Sequence, residues 1–179
     1  ILCEGYMDVI AVNQAGFQNA VATLGTALTS QQASVMKRYA DDVIICYDAD
    51  EAGQKATQRA IGILRRTGLN IRVLTVPDGK DPDEFIRKHG DNGGAAFYNL
   101  VNGSFNDVEY QLSKVRKKYD LKLADQRVKY VNEAINIIAK IDDDVERDVY
   151  SSKLADETGV HTESISSSLK RVRSKIKYS

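Results

Sequence analysis

The stretch from Val43 to Asp50 constrains the fold more than any other part of the chain. A run of β-branched and other apolar residues, Val43 to Tyr47, is followed directly by Asp48 and Asp50. Short apolar runs of this kind are typical of central parallel strands, which are buried on both faces by helices. Ligands of such sheets bind at the carboxyl ends of the strands, so both aspartates stand where a site is expected. Two carboxylates 4 Å apart repel by roughly 4 kcal/mol at an effective dielectric of about 20, and a divalent cation would offset that repulsion.

Strand-like and helix-like segments alternate from residue 1 to residue 76. The pattern predicts strands over residues 1–3, 19–23, 43–47 and 70–76, and helices over residues 7–15, 30–39 and 52–66. Such alternation indicates right-handed β-α-β units. We therefore predict an α/β fold with a four-stranded, mostly parallel sheet flanked by helices. In the first helix, Met7, Ile10 and Ala11 are expected to face the core.

From residue 106 onwards the pattern is helical only, which indicates a second, all-α domain. We place the boundary near Gly103 and Ser104, giving a domain over residues 1–104 and a helical bundle over residues 105–179, and we interpret residues 91–94 as a loop. Apolar residues at helical spacing predict the core positions of the bundle. These positions are Val108, Leu112, Val115 and Tyr119, then Val128, Val131, Ile135 and Ile138, then Val145, Val149 and Leu154, and finally Ile165, Leu169 and Val172.

The overall charge identifies no partner, because 25 Lys and Arg balance 25 Asp and Glu among 179 residues. The end of the chain is locally basic, and this feature is compatible with a solvated helix face or with a nucleic-acid contact. The basic residues there are Lys170, Arg171, Arg173, Lys175 and Lys177.

The two cysteines, Cys3 and Cys46, both lie in strand-like runs. Buried reduced thiols fit this placement better than a disulfide and indicate a reducing, cytoplasmic setting. We recognise no signal peptide and no apolar run of the ~18 residues that a membrane span needs. We expect a monomer without membrane contact. Because the chain starts without Met and inside a strand, we also expect it to be a piece of a longer protein.

Further acids follow the other predicted strands. Glu4 comes directly after the first strand, Asp8 lies one helical turn later, and the loop after the fourth strand contains Asp81 and Asp83. Asp81 followed by Pro82 is also a typical helix start, so these loop acids are interpreted either as caps or as ligands. An all-oxygen cluster favours Mg²⁺ or Mn²⁺ over Zn²⁺, and with them phosphoryl or nucleotidyl transfer.

The aspartate pair has three other possible interpretations. A calcium loop is rejected, because Arg59 stands where a glutamate is needed. A phosphatase with Asp48 as nucleophile would not explain Glu4 or the loop after the fourth strand. One aspartate could simply cap the following helix. The sequence contains no Gly-rich phosphate loop, Ser-His-Asp set or dinucleotide fingerprint.

Several blocks of the sequence resemble the signature blocks of bacterial DNA primases of the DnaG type. They are Glu4-Gly5-Tyr6-Met7-Asp8, the block from Leu24 to Thr29, the block from Tyr47 to Gly53, and Asp78-Gly79-Lys80-Asp81-Pro82-Asp83. The glutamate and the Asp-x-Asp pair alone are shared by the broader TOPRIM superfamily, whereas Tyr-Met-Asp and the Asp-Pro-Asp loop narrow the resemblance to primases. It covers roughly residues 1–90, and the helical tail resembles, less specifically, the bundle that closes the primase polymerase region.

The resemblance implies a TOPRIM, Rossmann-like fold and synthesis of RNA primers from nucleoside triphosphates on single-stranded DNA. It implies that Glu4, Asp48 and Asp50 are the catalytic metal ligands, with Asp8, Asp81 and Asp83 in an outer tier, and that they hold two or more Mg²⁺ or Mn²⁺ ions. Template DNA, RNA primer and nucleoside triphosphates are the expected partners. Zinc binding and the contact with the replicative helicase are expected in domains outside this chain, which should prime poorly or not at all alone.

Two alternatives stay open at this point. One is a TOPRIM nuclease or topoisomerase-like enzyme that acts on phosphodiesters with the same acids. The other is a DNA-binding module, because Leu154 to Val160 followed by a helix starting at Thr162 has the spacing of a helix-turn-helix.

Overall fold

The computed structural model describes residues 1–77 and 81–177, without the side chain of Lys177. Asp78, Gly79 and Lys80, which belong to one of the signature blocks, lie outside the described residues. The chain divides into two compact units, Ile1–Asp107 and Val108–Ser179. Among the described residues, no helix combines the length and the apolar character that crossing a bilayer requires.

The first unit contains a mixed sheet and the helices that surround it. Its strands are β1 (Leu2–Cys3), β2 (Val21–Ala22), β3 (Asp42–Cys46), β4 (Asn70–Val73) and β5 (Phe105–Asn106). Its helices are α1 (Tyr6–Gln14), α2 (Ser30–Lys37), α3 (Glu51–Leu64), α4 (Pro82–Lys88) and α5 (Gly93–Asn102).

The strand order in the sheet is β2-β1-β3-β4-β5. The first four strands are parallel, and β5 runs antiparallel to β4 through the pairs Arg72–Asn106 and Val73–Phe105. The prediction of an α/β fold with a mostly parallel sheet is confirmed. The sequence pattern missed β5, because two residues are too few to show strand periodicity.

The direction in which the chain adds strands to the sheet changes between β1 and β3, although these two strands are parallel. From β1 the chain moves to β2 on one side, and from β3 it moves to β4 on the other side. Right-handed crossovers in opposite directions place α1 and α3 on opposite faces of the sheet. The crevice outside the carboxyl ends of β1 and β3 is therefore the point where sheets of this type bind ligands.

Local sequence signals explain where several helices start and stop. Thr29 and Gln32 form the predicted capping box of α2, with the Gln32 amide donating to Thr29 Oγ1 at 3.2 Å. The helices predicted to begin near Ala52 and at Pro82 begin at Glu51 and Pro82. A short 3-10 segment continues α3 and ends at Gly68. The φ of Gly68 is 72°, which is the left-handed value of a helix C-cap.

The core on one face of the sheet lies beneath α1, α4 and α5. Cys3 and Cys46 are fully buried there and pack with Val12, Phe85 and Phe97. Both are free thiols, as expected. The predicted loop over residues 91–94 is wrong, because Gly93 begins α5. A Cβ on Gly93 would lie 2.5 Å from the Ile86 carbonyl oxygen, so this glycine permits a close helix contact rather than a turn.

The face of α1 that the sequence predicted to be inward is only partly buried. Asp8, Ala11 and Val12 are buried, whereas Met7 and Ile10 are exposed. The predicted inward positions Met7 and Ile10 are therefore wrong. Apolar side chains occur all round this helix, so its periodicity does not define a single face.

The second unit is helical, as predicted. It comprises most of α6 (Asp107–Arg116), followed by α7 (Ala124–Ile138), α8 (Asp144–Thr158) and α9 (Thr162–Lys177). Its core includes the predicted Val108, Val131, Ile135, Leu154 and Leu169. Val128, Val145 and Val149 were predicted to be inward and are exposed instead. Helix α7 buries Tyr130, Val131 and Ala134, and α8 buries Tyr150, Ser151 and Leu154.

Candidate active site

Glu4 and Asp48 follow β1 and β3, the two strands between which the order of strand addition changes direction. Cys3 pairs with Cys46 in the parallel ladder, so Glu4 leaves β1 beside the segment in which Tyr47 and Asp48 leave β3. The predicted neighbourhood of the first and third strands is confirmed. Glu4 Oε2 is buried and makes no hydrogen bond to any described protein atom. An unpaired carboxylate oxygen in this position is available to a ligand.

Asp48 lies at the electrostatic centre of the acids. The pKa of Asp48 is raised to about 6, mainly by burial and in addition by the negative charges of Glu4, Asp8, Asp81 and Asp50. Four of the other predicted site acids are thus close enough to disfavour the charge on Asp48. A cation placed among these carboxylates would reverse that effect.

The backbone of Asp48 is held by close packing against the start of α3. A Cβ on Gly53 would lie 2.2 Å from the Asp48 carbonyl oxygen, which is closer than any side chain tolerates. Asp50 caps the same helix, accepting a hydrogen bond from the Gly53 amide at 2.7 Å. The capping interpretation is therefore confirmed for Asp50, and it fixes the turn that carries both aspartates.

Asp8 connects the start of α1 with the start of α4. It is only 7% exposed and accepts a hydrogen bond from the Gly5 amide at 3.1 Å. Burial raises the pKa of Asp8, the charges of Asp81 and Asp83 add to the rise, and the backbone amides of Gly5 and Asp83 oppose it. The loop acids thus lie on the same side of the sheet as Asp8.

The two loop acids have structural partners of their own. Asp81 caps α4 by accepting a hydrogen bond from the Glu84 amide at 2.7 Å, and Pro82 occupies the first turn as predicted. Asp83 forms an ion pair with Arg87 at 2.8 Å. Capping is confirmed for Asp81, and a ligand role for either acid stays a prediction.

The acids gather without forming a finished coordination shell. Within residues 1–77 and 81–177, no three His, Cys, Asp or Glu side chains are arranged to hold a metal ion together. The oxygen-only donors and the unpaired Glu4 Oε2 nevertheless fit the preferences of Mg²⁺ or Mn²⁺, which keep several waters and need few carboxylates.

Sequence reasoning missed the contribution of Tyr47, which it counted as part of the strand. Tyr47 is 5% exposed, and its hydroxyl is buried beside the Thr23 side chain. Burial raises the pKa of Tyr47 to about 12 with a contribution from the Glu4 charge, and the interaction with Thr23 opposes this rise. Glu4, Tyr47 and Arg59 line a cavity of about 230 Å³ together with the Thr23–Leu28 turn. A phenol at the end of an otherwise aliphatic strand was the available signal.

The fold and the placement of the acids identify the class of protein to which the chain belongs. A mostly parallel sheet with a glutamate after β1 and an Asp-x-Asp pair after β3 is the arrangement of a Toprim domain, and the family model described as Toprim-like matches residues 1–86. A second model, described as the DnaB-helicase binding domain of primase, matches residues 108–163.

Individual relatives agree with this class. The DNA primase of Clostridium acetobutylicum is 47% identical over 165 residues, which are 92% of this chain and 27% of that protein. A DNA primase domain from Pseudomonas aeruginosa superimposes with a TM-score of 0.74 at 30% identity, over 97% of this chain and 53% of that one. The DnaG primase catalytic domain bound to single-stranded DNA gives a TM-score of 0.72 at 30% identity, over 92% and 52%.

The chain belongs to the family of bacterial DNA primases of the DnaG type. It spans only about a quarter of the full-length relative. These relatives give no support to the nuclease or topoisomerase-like alternative. The expectation that a helicase-binding segment lies outside this chain is contradicted by the match over residues 108–163. The related catalytic domain bound to DNA covers 92% of the chain, so it also includes most of the second unit.

Proposed function

We propose that this chain is the nucleotidyl-transfer core of a DNA primase, which joins ribonucleotides into short RNA primers on single-stranded DNA. One observation carries the proposal. Glu4 and Asp48 follow the neighbouring parallel strands β1 and β3, where the order of strand addition changes direction, in a chain that belongs to the primase family. The related catalytic domain bound to single-stranded DNA supports the same template for this protein.

In this proposal Glu4, Asp48 and Asp50 hold two or more Mg²⁺ or Mn²⁺ ions, and Asp8, Asp81 and Asp83 support them from outside. Bound ions would neutralise charge on the triphosphate and lower the pKa of the primer 3′-hydroxyl. Asp48 is ionised above its pKa of about 6, so it is an anionic donor at neutral pH. Asp50 uses Oδ1 for its cap and has a second oxygen for a ligand.

The partners follow from the same proposal. Nucleoside triphosphates, an RNA primer and a single-stranded DNA template are the substrates and products. The match of the second unit to a helicase-binding family model supports the replicative helicase as a further partner. Because the chain spans only part of its relatives, we propose that these 179 residues alone prime poorly or not at all.

The test uses the parent protein that contains this chain, supplied with single-stranded DNA, Mg²⁺ and labelled ribonucleotides. Glu4→Gln and Asp48→Asn should each reduce primer synthesis by more than about 100-fold, since loss of a direct ligand exceeds the usual effect of an outer-shell change.

Asp42→Asn is the matched control. Asp42 begins β3, the strand that Asp48 follows, and it is exposed. It should retain normal primer synthesis. Cleavage of the DNA without any primer, or full activity of Asp48→Asn, would overturn the proposed function.

A further inference from the structure

Helix α1 presents a compact apolar face to solvent at the edge of the candidate active site. Tyr6, Met7 and Ile10 are 64%, 53% and 45% exposed. They lie within five consecutive positions, and α1 begins directly after Glu4 and Gly5. On the other helices of the first unit, exposed large apolar residues occur singly, as Val35 on α2 and Tyr98 on α5.

The opposite face of the same helix is already packed. Ala11 and Val12 are buried in the core, and Asp8 is buried beside α4. A helix with apolar residues all round is normally covered from more than one side, because each exposed apolar side chain forgoes burial. Within the described residues, α1 is covered from one side only.

The solved relatives indicate what covers the other side. This chain spans 53% and 52% of the two related primase domains, so nearly half of such a domain has no counterpart in these 179 residues. That missing part must bury apolar surface against the part seen here if the catalytic domain is one compact body.

We infer that the exposed face of α1, formed by Tyr6, Met7 and Ile10, is the docking surface for the part of the primase catalytic domain that lies outside these 179 residues. The inference rests on membership of the family and does not require the proposed activity. Docking at this face would cover the first turns of α1, which begins directly after Glu4 and Gly5.

A nucleobase stacked on Tyr6 is the main rival occupant. Met7 and Ile10 favour a protein partner over a base, because they are flexible or branched aliphatic groups without a flat π-surface. Protection of Tyr6 with and without single-stranded DNA separates the two occupants.

Hydroxyl-radical footprinting compares side-chain reactivity in the 179-residue chain and in the parent protein. Tyr98 is the matched control for Tyr6, since it is the same residue type and is 57% exposed. Tyr6 and Met7 should react about fivefold or more slowly in the parent protein, because the core of an interface is removed from solvent. Tyr98 should react at the same rate in both.

The outcomes are decisive in each direction. Equal reactivity of Tyr6 in both proteins overturns the inference, and so does equal protection of Tyr6 and Tyr98. Protection of Tyr6 that develops only after addition of single-stranded DNA assigns the face to nucleic acid and also overturns it. None of these readouts depends on primer synthesis, so failure of the proposed function would be seen separately.

Paired variants provide a second measurement. Ile10→Asp should restore the reactivity of Tyr6 in the parent protein, whereas Val35→Asp should not, although Val35 on α2 is equally exposed at 47%. Circular dichroism of the 179-residue chain carrying each variant verifies that both still fold. Continued protection of Tyr6 in folded Ile10→Asp would refute docking through this face.

Discussion

A β-carbon on Gly53 would lie 2.2 Å from the carbonyl oxygen of Asp48, so only glycine allows α3 to start where it does. The contact is between backbone atoms, which cannot move aside as a flexible side chain would. Asp48 and the cap residue Asp50 are therefore held by the same turn. The geometry of the candidate site and the stability of the fold depend on one residue that carries no functional group.

Gly53→Ala is expected to destabilise the protein by about 1–3 kcal/mol, the usual effect of forcing an extra group into a packed site. Gly62→Ala is the control, because Gly62 lies in the same helix with open space around its Cβ position. It should stabilise the fold by about 0.5–1 kcal/mol through helix propensity. Urea unfolding monitored by circular dichroism measures both changes, and a similar effect of the two variants would contradict the contact.

Asp48→Asn should stabilise the fold at pH 8 in the presence of a chelator. The folded pKa of about 6 is above the usual value of 3.8, so the charged form is penalised in the folded state. The penalty is absent below the unfolded pKa, grows between the two values and is complete above pH 6. After discounting for partial exposure we expect a gain of about 1 kcal/mol at pH 8 and none at pH 3.5.

Thermal unfolding of Asp48→Asn and wild type at the two pH values measures this difference. Asp42→Asn, at the other end of β3, is the control for the removal of one carboxylate from an exposed position. An Asp48→Asn variant that is less stable than wild type at pH 8 would show that repulsion is not the dominant effect on this carboxylate.

The sequence predicted the strand ends and helix caps better than the surfaces around them. Strand ends and caps depend on near neighbours, so Glu4, Asp48 and the capping role of Asp81 could be located from local patterns. Which apolar residues are covered depends on packing between distant segments. Met7, Ile10 and Val145 all sit at helical spacing and are all exposed, because periodicity marks apolar positions but not the partner that covers them.

The directions of the side chains at the site could not be predicted from the sequence either. Asp50 and Asp81 cap helices in addition to any ligand role, and Asp83 pairs with Arg87. These hydrogen bonds compete for the carboxylates that the resemblance assigns to metal. The hydroxyl of Tyr47 became visible as a buried polar group only once β3 was placed beside β1.

The thiols of Cys3 and Cys46 should resist alkylation in the folded protein. Both are fully buried, and burial raises the pKa of Cys3 to about 12 and that of Cys46 well above its usual value. The reactive thiolate is therefore scarce at pH 8. Mass spectrometry after iodoacetamide treatment should detect little modification in buffer and two modified cysteines in urea. Rapid labelling of either thiol in buffer would contradict the buried placement.

A hydrogen bond between Tyr130 and Glu157 should make a measurable contribution to the second unit. The Tyr130 hydroxyl is 2.6 Å from Glu157 Oε2, and the side chain is only 2% exposed. Arg116 binds the other oxygen of Glu157 at 2.9 Å, so α6, α7 and α8 meet at this carboxylate. Tyr130→Phe should reduce the free energy of unfolding by about 1–2 kcal/mol, because it leaves a charged group with one partner fewer.

Tyr119→Phe provides the comparison for that variant. Tyr119 donates a similar bond to Glu133 at 2.5 Å, but the Tyr119 side chain is only partly buried, so water can replace the lost partner. The second variant should therefore lose less stability than Tyr130→Phe in the same urea titration. Equal losses would mean that burial does not strengthen the Tyr130 bond, and a larger loss for Tyr119→Phe would place the main anchor of α6 on Glu133 instead of Glu157.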